Sequence, residues 1–226
     1  MKIRIPVCFI SAILSAITYG IFATLAYTKY PLPLSPFRNW LSDLGNQIVN
    51  PQGASFYNIG MILCALFLAI WFTSGLSQWR MKDNTIQQRL LFISQFTGIL
   101  TAFGLIMSAL YPINFEQVHS FWSKIHFMMF GMGFGFSVAA LRYHPRIPKA
   151  SLYLGAVAAV LPTLMLIFYK AYWLEWIAVG LFIIYILWIG IASLIFTLHW
   201  NSSVSDKSLI HMQGDSSAEV TGTCAN

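Results

Sequence analysis

Residues Arg38–Asn58, with the sequence RNWLSDLGNQIVNPQGASFYN, form the longest polar interruption in a chain that otherwise consists of apolar runs. This stretch contains one acid (Asp43), four asparagines, two glycines and one proline. Because the segments around it are apolar, we expect hydrophobic helices to hold this stretch as a loop between them.

The composition indicates a membrane protein. Of the 226 residues, 58% are apolar and only 9% are charged, and the mean hydropathy is +0.68. A soluble domain carries about a quarter charged residues, so lipid is the predicted main solvent. The 13 Lys and Arg outnumber the 7 Asp and Glu, but they form no basic block and accompany no nucleic-acid motif. We therefore expect no nucleic-acid partner.

Six apolar stretches are long enough to be membrane-spanning helices, since a helix needs about 20 residues to cross the hydrocarbon core. They are Pro6–Tyr27, Ala54–Leu76, Leu90–Tyr111, Ser123–Leu141, Ala150–Tyr169 and Trp176–His199. The first is too long for the apolar part of a typical signal peptide, so we interpret it as a retained helix. The sequence predicts an all-α, polytopic bundle of six transmembrane helices in residues 1–200. Residues 201–226 are rich in Ser, Asp and Gly and are predicted to form a disordered cytoplasmic tail.

The distribution of Lys and Arg predicts how the chain is threaded. With the N-terminus inside, nine of these residues fall on the cytoplasmic side and four outside, which accounts for all 13. Positive charge concentrates in cytoplasmic loops, so we predict both termini inside and a location in the plasma (inner) membrane. This threading gathers three acids and two histidines at the external end: Asp43, Glu116, Glu175, His119 and His126.

The candidate site residues lie at this external end. His126 is the only ionisable residue expected well inside a span, where such residues are costly and by default functional. We name His126 and Asp43 as candidate catalytic residues. The candidate ligand contacts are Trp40, Asp43, Asn46, His119, His126 and Glu175. In the alternative interpretation, His126 only hydrogen-bonds a neighbouring helix. Ser42 or Asp43 then caps a short helix or forms an Asx-turn, and Gly45 supplies a positive φ.

Other chemistries have weaker signals. The external acids and histidines include enough potential metal ligands, but no motif fixes two of them on one helix face. We therefore predict no metal and no cofactor. A serine hydrolase assembled from Ser42 or Ser120 with His126 and Asp43 would lack the G-x-S-x-G motif of the nucleophile elbow.

Small residues in the fourth and fifth predicted spans indicate close helix packing. Gly131–Gly135 and the pair Gly155 and Ala159 have the spacing that lets helix backbones approach each other. We interpret them as intramolecular contacts, with the face of a homodimer as the alternative. Pro162 is expected to kink the fifth helix.

Several short motifs, taken together, resemble domain of unknown function family 998. Its members are six-helix bacterial and archaeal membrane proteins, distantly similar to the Frag1/DRAM/Sfk1 proteins. The motifs are Leu41–Asn46 followed by Asn50-Pro51, Phe56–Gly60, Gly104, Tyr111-Pro112, a histidine at 119 or 126, and Glu175 before the last helix. The resemblance covers about residues 5–196 and implies a fold and a topology but no activity. Trp176 departs from the basic residue expected after the Glu.

Three functions are compatible with this pattern. The first is an integral membrane protein that binds or senses a lipid headgroup or small amphiphile in a polar cup at the external face. The second is a membrane-embedded lipid hydrolase or transferase that uses His126 and Asp43 as an acid–base pair. The third is a small proton-coupled transporter, for which the sequence lacks broken helices. Membrane lipid is the expected partner, and a protein partner or a homo-oligomer is left open.

Overall fold

The computed structural model of the protein describes residues 5–168 and 171–220, and for residues 166 and 200–220 it describes the backbone alone. The described residues form six long helices and no β-strand. The helices are α1 (Val7–Tyr27), α2 (Ala54–Ile70), α3 (Thr85–Leu110), α4 (Glu116–Leu141), α5 (Lys149–Ile167) and α6 (Tyr172–Val220). A π-helical turn, Trp71–Gly75, extends α2, and short 3₁₀ helices occupy Leu41–Gly45 and Ile113–Phe115.

The long apolar helices make this a membrane protein. Five segments are long and apolar enough to cross a membrane, in α1, α2 with its π-helical turn, α3, α4 with the 3₁₀ helix before it, and α6. The fifth helix, α5, is not one of these five and contains Pro162 in its last turns. Its 19 residues extend about 28 Å, just short of the roughly 30 Å of the hydrocarbon core. A sixth span therefore stays a prediction.

Successive helices run in opposite directions, as contacts at one end of the bundle show. The ring of Trp79, after α2, packs edge-on against His144, after α4, with centroids 5.1 Å apart. The side-chain oxygen of Gln78 accepts hydrogen bonds from the Cys8 amide in α1 and from Ser193 Oγ in α6. We call this the Trp79 end (residues 76–84 and 142–148), and we call the opposite end the cup end (residues 28–53, 111–115 and 171–175). Which end faces the cytoplasm stays a prediction.

An aromatic cluster fills the interior between the two ends. Its members are Trp71, Phe72, Phe130, Phe134, Phe182 and Tyr185. The rings of Phe130 and Phe182 stack with centroids 4.1 Å apart. Trp71 and Phe72 are consecutive and both fully buried, which the widened π-helical turn permits. Gly98 of α3 leaves room for Phe72, because a Cβ at this position would collide with that ring.

The small residues predicted to mediate close packing do so within the chain. A Cβ on Gly131 of α4 would lie 2.8 Å from the carbonyl oxygen of Ala159 in α5. A Cβ on Gly155 would lie 2.5 Å from the ring of Tyr185 in α6. These contacts support the intramolecular interpretation over a homodimer face.

The last helix is longer than the sequence predicted. α6 continues to Val220, so the described part of the segment predicted as a disordered tail has a helical backbone. Between His199 and Gly214 the sequence contains neither Gly nor Pro, the residues that most strongly end a helix. Residues 221–226 of the tail lie outside the described residues, as do residues 169 and 170, where the fifth predicted span ends.

Candidate functional site

Asn50 fastens the polar loop to the end of α1. Its side chain is fully buried, and Nδ2 donates to the carbonyl oxygens of Ala26 at 3.1 Å and Leu44 at 2.9 Å. The last carbonyls of a helix lack partners within the helix, so Asn50 supplies one to α1. A Cβ on Gly53 would lie 2.5 Å from the Asn50 amide and 2.7 Å from the Ala26 oxygen. Only glycine therefore fits beside this contact.

Glu175 fastens the same loop to α6. Its Oε2 accepts hydrogen bonds from the backbone N–H of Leu41 at 2.6 Å and of Ser42 at 3.5 Å. These amides open the 3₁₀ helix and have no partner within it. Trp176 adds a bond from Nε1 to the carbonyl oxygen of Asn39 at 3.0 Å. Because a buried carboxylate needs such donors, Glu175 and the loop stabilise each other.

The side chains of Asp43 and Asn46 accept hydrogen bonds from backbone amides within the loop itself. Asp43 Oδ2 accepts from the Trp40 N–H at 3.0 Å and from Asn39 Nδ2 at 3.5 Å. Burial raises the pKa of the Asp43 carboxyl above its ordinary value, and these two hydrogen bonds oppose that rise. Asn46 Oδ1 accepts from the amides of residues 48 and 49 at 3.0 and 3.1 Å. These contacts favour the capping interpretation of Asp43.

The expected positive φ at Gly45 is not found. A glycine is required here because of the space around it. A Cβ at this position would collide with the side-chain amide of Asn58. Nδ2 of Asn58 donates to the Gly45 carbonyl oxygen at 3.1 Å. The absence of a side chain at Gly45 therefore lets α2 hold the 3₁₀ helix at close range.

His119 joins the end of α3 to the start of α4. Its Nδ1 lies 3.1 Å from the carbonyl oxygen of Ser108 and 2.9 Å from that of Tyr111. Its Nε2 lies 3.1 Å from Ser123 Oγ, one turn along α4. Carbonyl oxygens only accept, so Nδ1 carries the hydrogen and, in the neutral ring, Nε2 accepts from the serine hydroxyl.

His126 lies deeper and has a different partner. It is 6% exposed, and its Nδ1 is 3.0 Å from the carbonyl oxygen of Thr101 on α3. Its ring also packs edge-on against Phe130, with centroids 5.5 Å apart. With His126 bonded to Thr101 and Asp43 to Trp40, these contacts do not form the predicted acid–base pair. They match the alternative of a bond to a neighbouring helix.

A cavity of about 470 Å³ opens beside His119 at the cup end. Its polar wall includes Glu116, His119, Ser123, Lys124 and Glu175, and its apolar wall includes Trp40, Phe127 and Met165. A smaller cavity of about 40 Å³ shares His119, Ser123 and Glu175 with it and reaches Asn58 and His126. Of the predicted ligand contacts, Trp40, His119 and Glu175 thus line the larger cavity and His126 the smaller one. Asp43 and Asn46 line neither.

The described side chains do not assemble a metal centre. Among residues 5–168 and 171–199, no three His, Cys, Asp or Glu side chains are grouped so that they could hold a metal ion. The predicted acids and histidines are instead separated by their individual partners in the loop and in α3.

Comparison with known proteins returned no matching family model, curated protein or solved structure. The class that the fold defines is an all-helical membrane protein. The resemblance to domain of unknown function family 998 stays a prediction from short motifs.

Sequence reasoning missed Ser123, Lys124 and Glu116 as site residues. The available signal was the four-residue spacing of His119 and Ser123, which makes them neighbours on one helix face. The sequence marks Ser123 only as the first residue of a predicted span. Its bond to His119 depends on the carbonyl groups of α3, which hold the histidine ring.

Proposed function

We propose that this membrane protein binds the polar headgroup of a lipid or small amphiphile in the 470 Å³ cavity at the cup end. The observation that carries the proposal is the mixed lining of that cavity. Ligand sites commonly enclose about 300–1,000 Å³, with mostly apolar walls and a few polar groups that fix orientation. The cavity at the cup end has that size, and its lining combines apolar side chains with a larger number of polar ones.

The charges on the polar wall suit a headgroup. Lys124 supplies an ammonium group and Glu116 a carboxylate, both on exposed side chains of α4. Phosphate is recognised by lysine as a point charge, and a carboxylate suits the amine of a zwitterionic headgroup. Trp40 lines the same cavity and packs edge-on against Tyr172, with ring centroids 4.7 Å apart. Trp and Tyr are enriched where a membrane meets water.

The apolar wall leads towards lipid. Met165 of α5 lines the cavity, and its near neighbours Ile167 and Phe168 are 65% and 57% exposed. An amphiphile whose headgroup occupies the cavity would lay its acyl chain along these side chains. We further propose that the cup end faces the exterior of the plasma (inner) membrane, which the distribution of Lys and Arg supports.

Phospholipid binding to two lysine variants tests the proposal. We expect Lys124→Ala to weaken binding of a phosphate-containing lipid about five- to tenfold, or roughly 1–1.4 kcal/mol, because one charge-assisted contact is lost. The measurement is titration of purified protein with fluorescent phosphatidylethanolamine in detergent micelles. Lys149→Ala is the matched control, since Lys149 is also an exposed lysine but begins α5, next to the Trp79 end. Equal affinities for the two variants would contradict the proposal.

The transporter hypothesis has less support. Transport past the site would require a polar path to the Trp79 end, whereas the described interior between the two ends is filled by the aromatic cluster. Gln95, which would lie along such a path, donates from Nε2 to the Thr73 carbonyl and to Ser77 Oγ, both at 2.8 Å.

A further inference from the structure

Ser123 and His119 have the geometry of a nucleophile and its general base. Ser123 Oγ and His119 Nε2 are 3.1 Å apart, within the range of about 2.6–3.2 Å over which a base takes a proton directly. The four-residue spacing on α4 keeps both groups on one face of the helix. The hydroxyl of Ser108 lies 3.4 Å from Ser123 Oγ and borders the same pair.

A third group orients the base. In serine hydrolases a carboxylate holds the histidine by its Nδ1–H and stabilises the imidazolium that forms during reaction. Here the carbonyl oxygens of Ser108 and Tyr111 occupy that position, at 3.1 and 2.9 Å from Nδ1. They belong to the C-terminal turn of α3, the negative end of the helix dipole, which favours a cationic histidine.

The pair faces the headgroup cavity. His119 and Ser123 both line the 470 Å³ cavity together with the exposed Lys124. His119 itself is only 9% exposed, whereas Ser123 is half-buried. The serine oxygen is therefore the part of the pair that a molecule in the cavity meets first.

We propose that Ser123 and His119 hydrolyse a carboxylic ester of an amphiphile held in this cavity, which rests on the proposed headgroup binding. Ser123 Oγ attacks the ester carbonyl carbon while its proton passes to His119 Nε2. The carbon–oxygen bond to the leaving alcohol then breaks, and the alcohol takes the proton from Nε2. Water repeats the sequence on the acyl-serine, which releases the carboxylic acid and restores the hydroxyl. The ammonium of Lys124 supplies positive charge at the wall where the oxyanion develops.

The test uses an alkyl fluorophosphonate, which transfers its phosphonyl group to an activated serine and releases fluoride. We expect the full-length protein in detergent to be labelled on Ser123, as located by peptide mass spectrometry, and to hydrolyse p-nitrophenyl octanoate. Ser123→Ala is expected to abolish both. Ser77→Ala, which removes an exposed serine near the opposite end, is expected to change neither. Labelling of Ser42 or Ser120 in place of Ser123, or no labelling, would overturn the proposal.

A second variant separates catalysis from folding. In His119→Asn the side-chain nitrogen of Asn can take the place of Nδ1 and keep donating to the carbonyls of α3, but the variant has no Nε2. We expect unchanged thermal unfolding with labelling slowed at least about 100-fold, since a general base contributes about 10²–10⁴-fold. Labelling at the original rate in the folded variant would show that His119 is not the base.

The outcomes distinguish this inference from the proposed function. The fluorophosphonate carries no headgroup, so its reaction does not depend on lipid recognition. Phosphatidylethanolamine binding that persists in an unreactive protein would overturn the inference and leave headgroup binding standing. Conversely, labelling of Ser123 with equal lipid affinity in Lys124→Ala and Lys149→Ala would support the Ser123–His119 pair and contradict the headgroup proposal.

Discussion

At both ends of the bundle, buried polar side chains hydrogen-bond the backbone. The two ends differ in that the cup end also has a cavity lined by polar side chains. At the Trp79 end, Gln87 donates from Nε2 to the Trp79 carbonyl at 2.9 Å, and Asn84 caps α3 by accepting from the Gln87 amide at 2.9 Å. The ring of Trp79 closes that end against His144 and Phe196. Its polar groups thus satisfy the backbone beneath packed rings.

At the cup end the backbone is also satisfied, by Asn50, Asn58 and Glu175. Here, however, a cavity remains beside the helices, and the Nε2 side of His119 faces Ser123 at its wall. The difference shows that hydrogen-bonded polar residues alone do not identify a site. A site is identified instead by a cavity whose lining side chains have donors or acceptors that do not hydrogen-bond the loop.

The largest expected loss of stability follows substitution of Asn50, which fastens the polar loop to α1. Asn50→Ala would remove two buried hydrogen bonds and leave the carbonyls of Ala26 and Leu44 without this donor. The Ala26 carbonyl keeps the Lys29 N–H as a donor, whereas the Leu44 carbonyl loses its side-chain donor. A lost hydrogen bond costs about 0.5–1.5 kcal/mol and an unsatisfied buried group about 1–3 kcal/mol, so we expect the free energy of unfolding to fall by roughly 3 kcal/mol. At the other end, Asn84→Ala removes a helix cap and should cost only about 1 kcal/mol.

Reversible unfolding of both variants in mixed detergent micelles gives the two values. If Asn50→Ala and Asn84→Ala lower the free energy of unfolding equally, Asn50 contributes no more than an ordinary helix cap. That result would contradict the role of Asn50 in fastening the polar loop.

A smaller effect is expected at Glu175. Glu175→Ala would leave the amides of Leu41 and Ser42 without their acceptor. Hydrogen bonds to charged groups contribute about 1.5–3 kcal/mol, so we expect a loss of about 2 kcal/mol in the same unfolding experiment. Glu175→Gln keeps an acceptor oxygen and should recover at least half of that loss. If the two variants unfold alike, the carboxylate does not act through these amides.

The smallest effects are opposite pH slopes at the two ends. Burial raises the pKa of Asp43, so the folded state binds its proton more tightly than the unfolded state. Stability from this group therefore falls as pH rises above about 4. At the Trp79 end, burial and then the charge of Arg146 lower the pKa of His144, so stability from that group rises as pH approaches about 6.5.

Thermal unfolding between pH 4 and 7 checks both signs. Asp43→Asn should remove the falling contribution, and His144→Phe should remove the rising one. If a substitution leaves the pH dependence of the unfolding temperature unchanged, the side chain that it replaces titrates alike in the folded and unfolded protein.

Hydrophobicity determined the part of the fold that the sequence could predict. Apolar length located all six helices, but α4 begins at Glu116, seven residues before the predicted start at Ser123. The early turns of α4 are polar because they lie at the end of the bundle, so hydropathy did not include them. This extension brings His119 onto the same helix as Ser123.

The contacts of the site could not be predicted, because they join distant parts of the chain. The bond from Leu41 to Glu175 spans 134 residues, and no local pattern encodes it. The sequence favours His126 over His119 as the functional histidine, yet His119 lines the larger cavity and His126 bonds Thr101 beneath it. Which histidine faces a ligand depends on how α3 packs against α4.

The location of bound lipid tests the central claim most directly. A phosphatidylethanolamine with a photoactivatable diazirine on its headgroup can be crosslinked to the protein in nanodiscs and the modified peptides sequenced. The account predicts crosslinks within residues 116–127 and at Trp40, around the cavity at the cup end, and their loss on competition with unlabelled lipid. Crosslinks concentrated around Trp79 and His144, or spread equally over both ends, would contradict it.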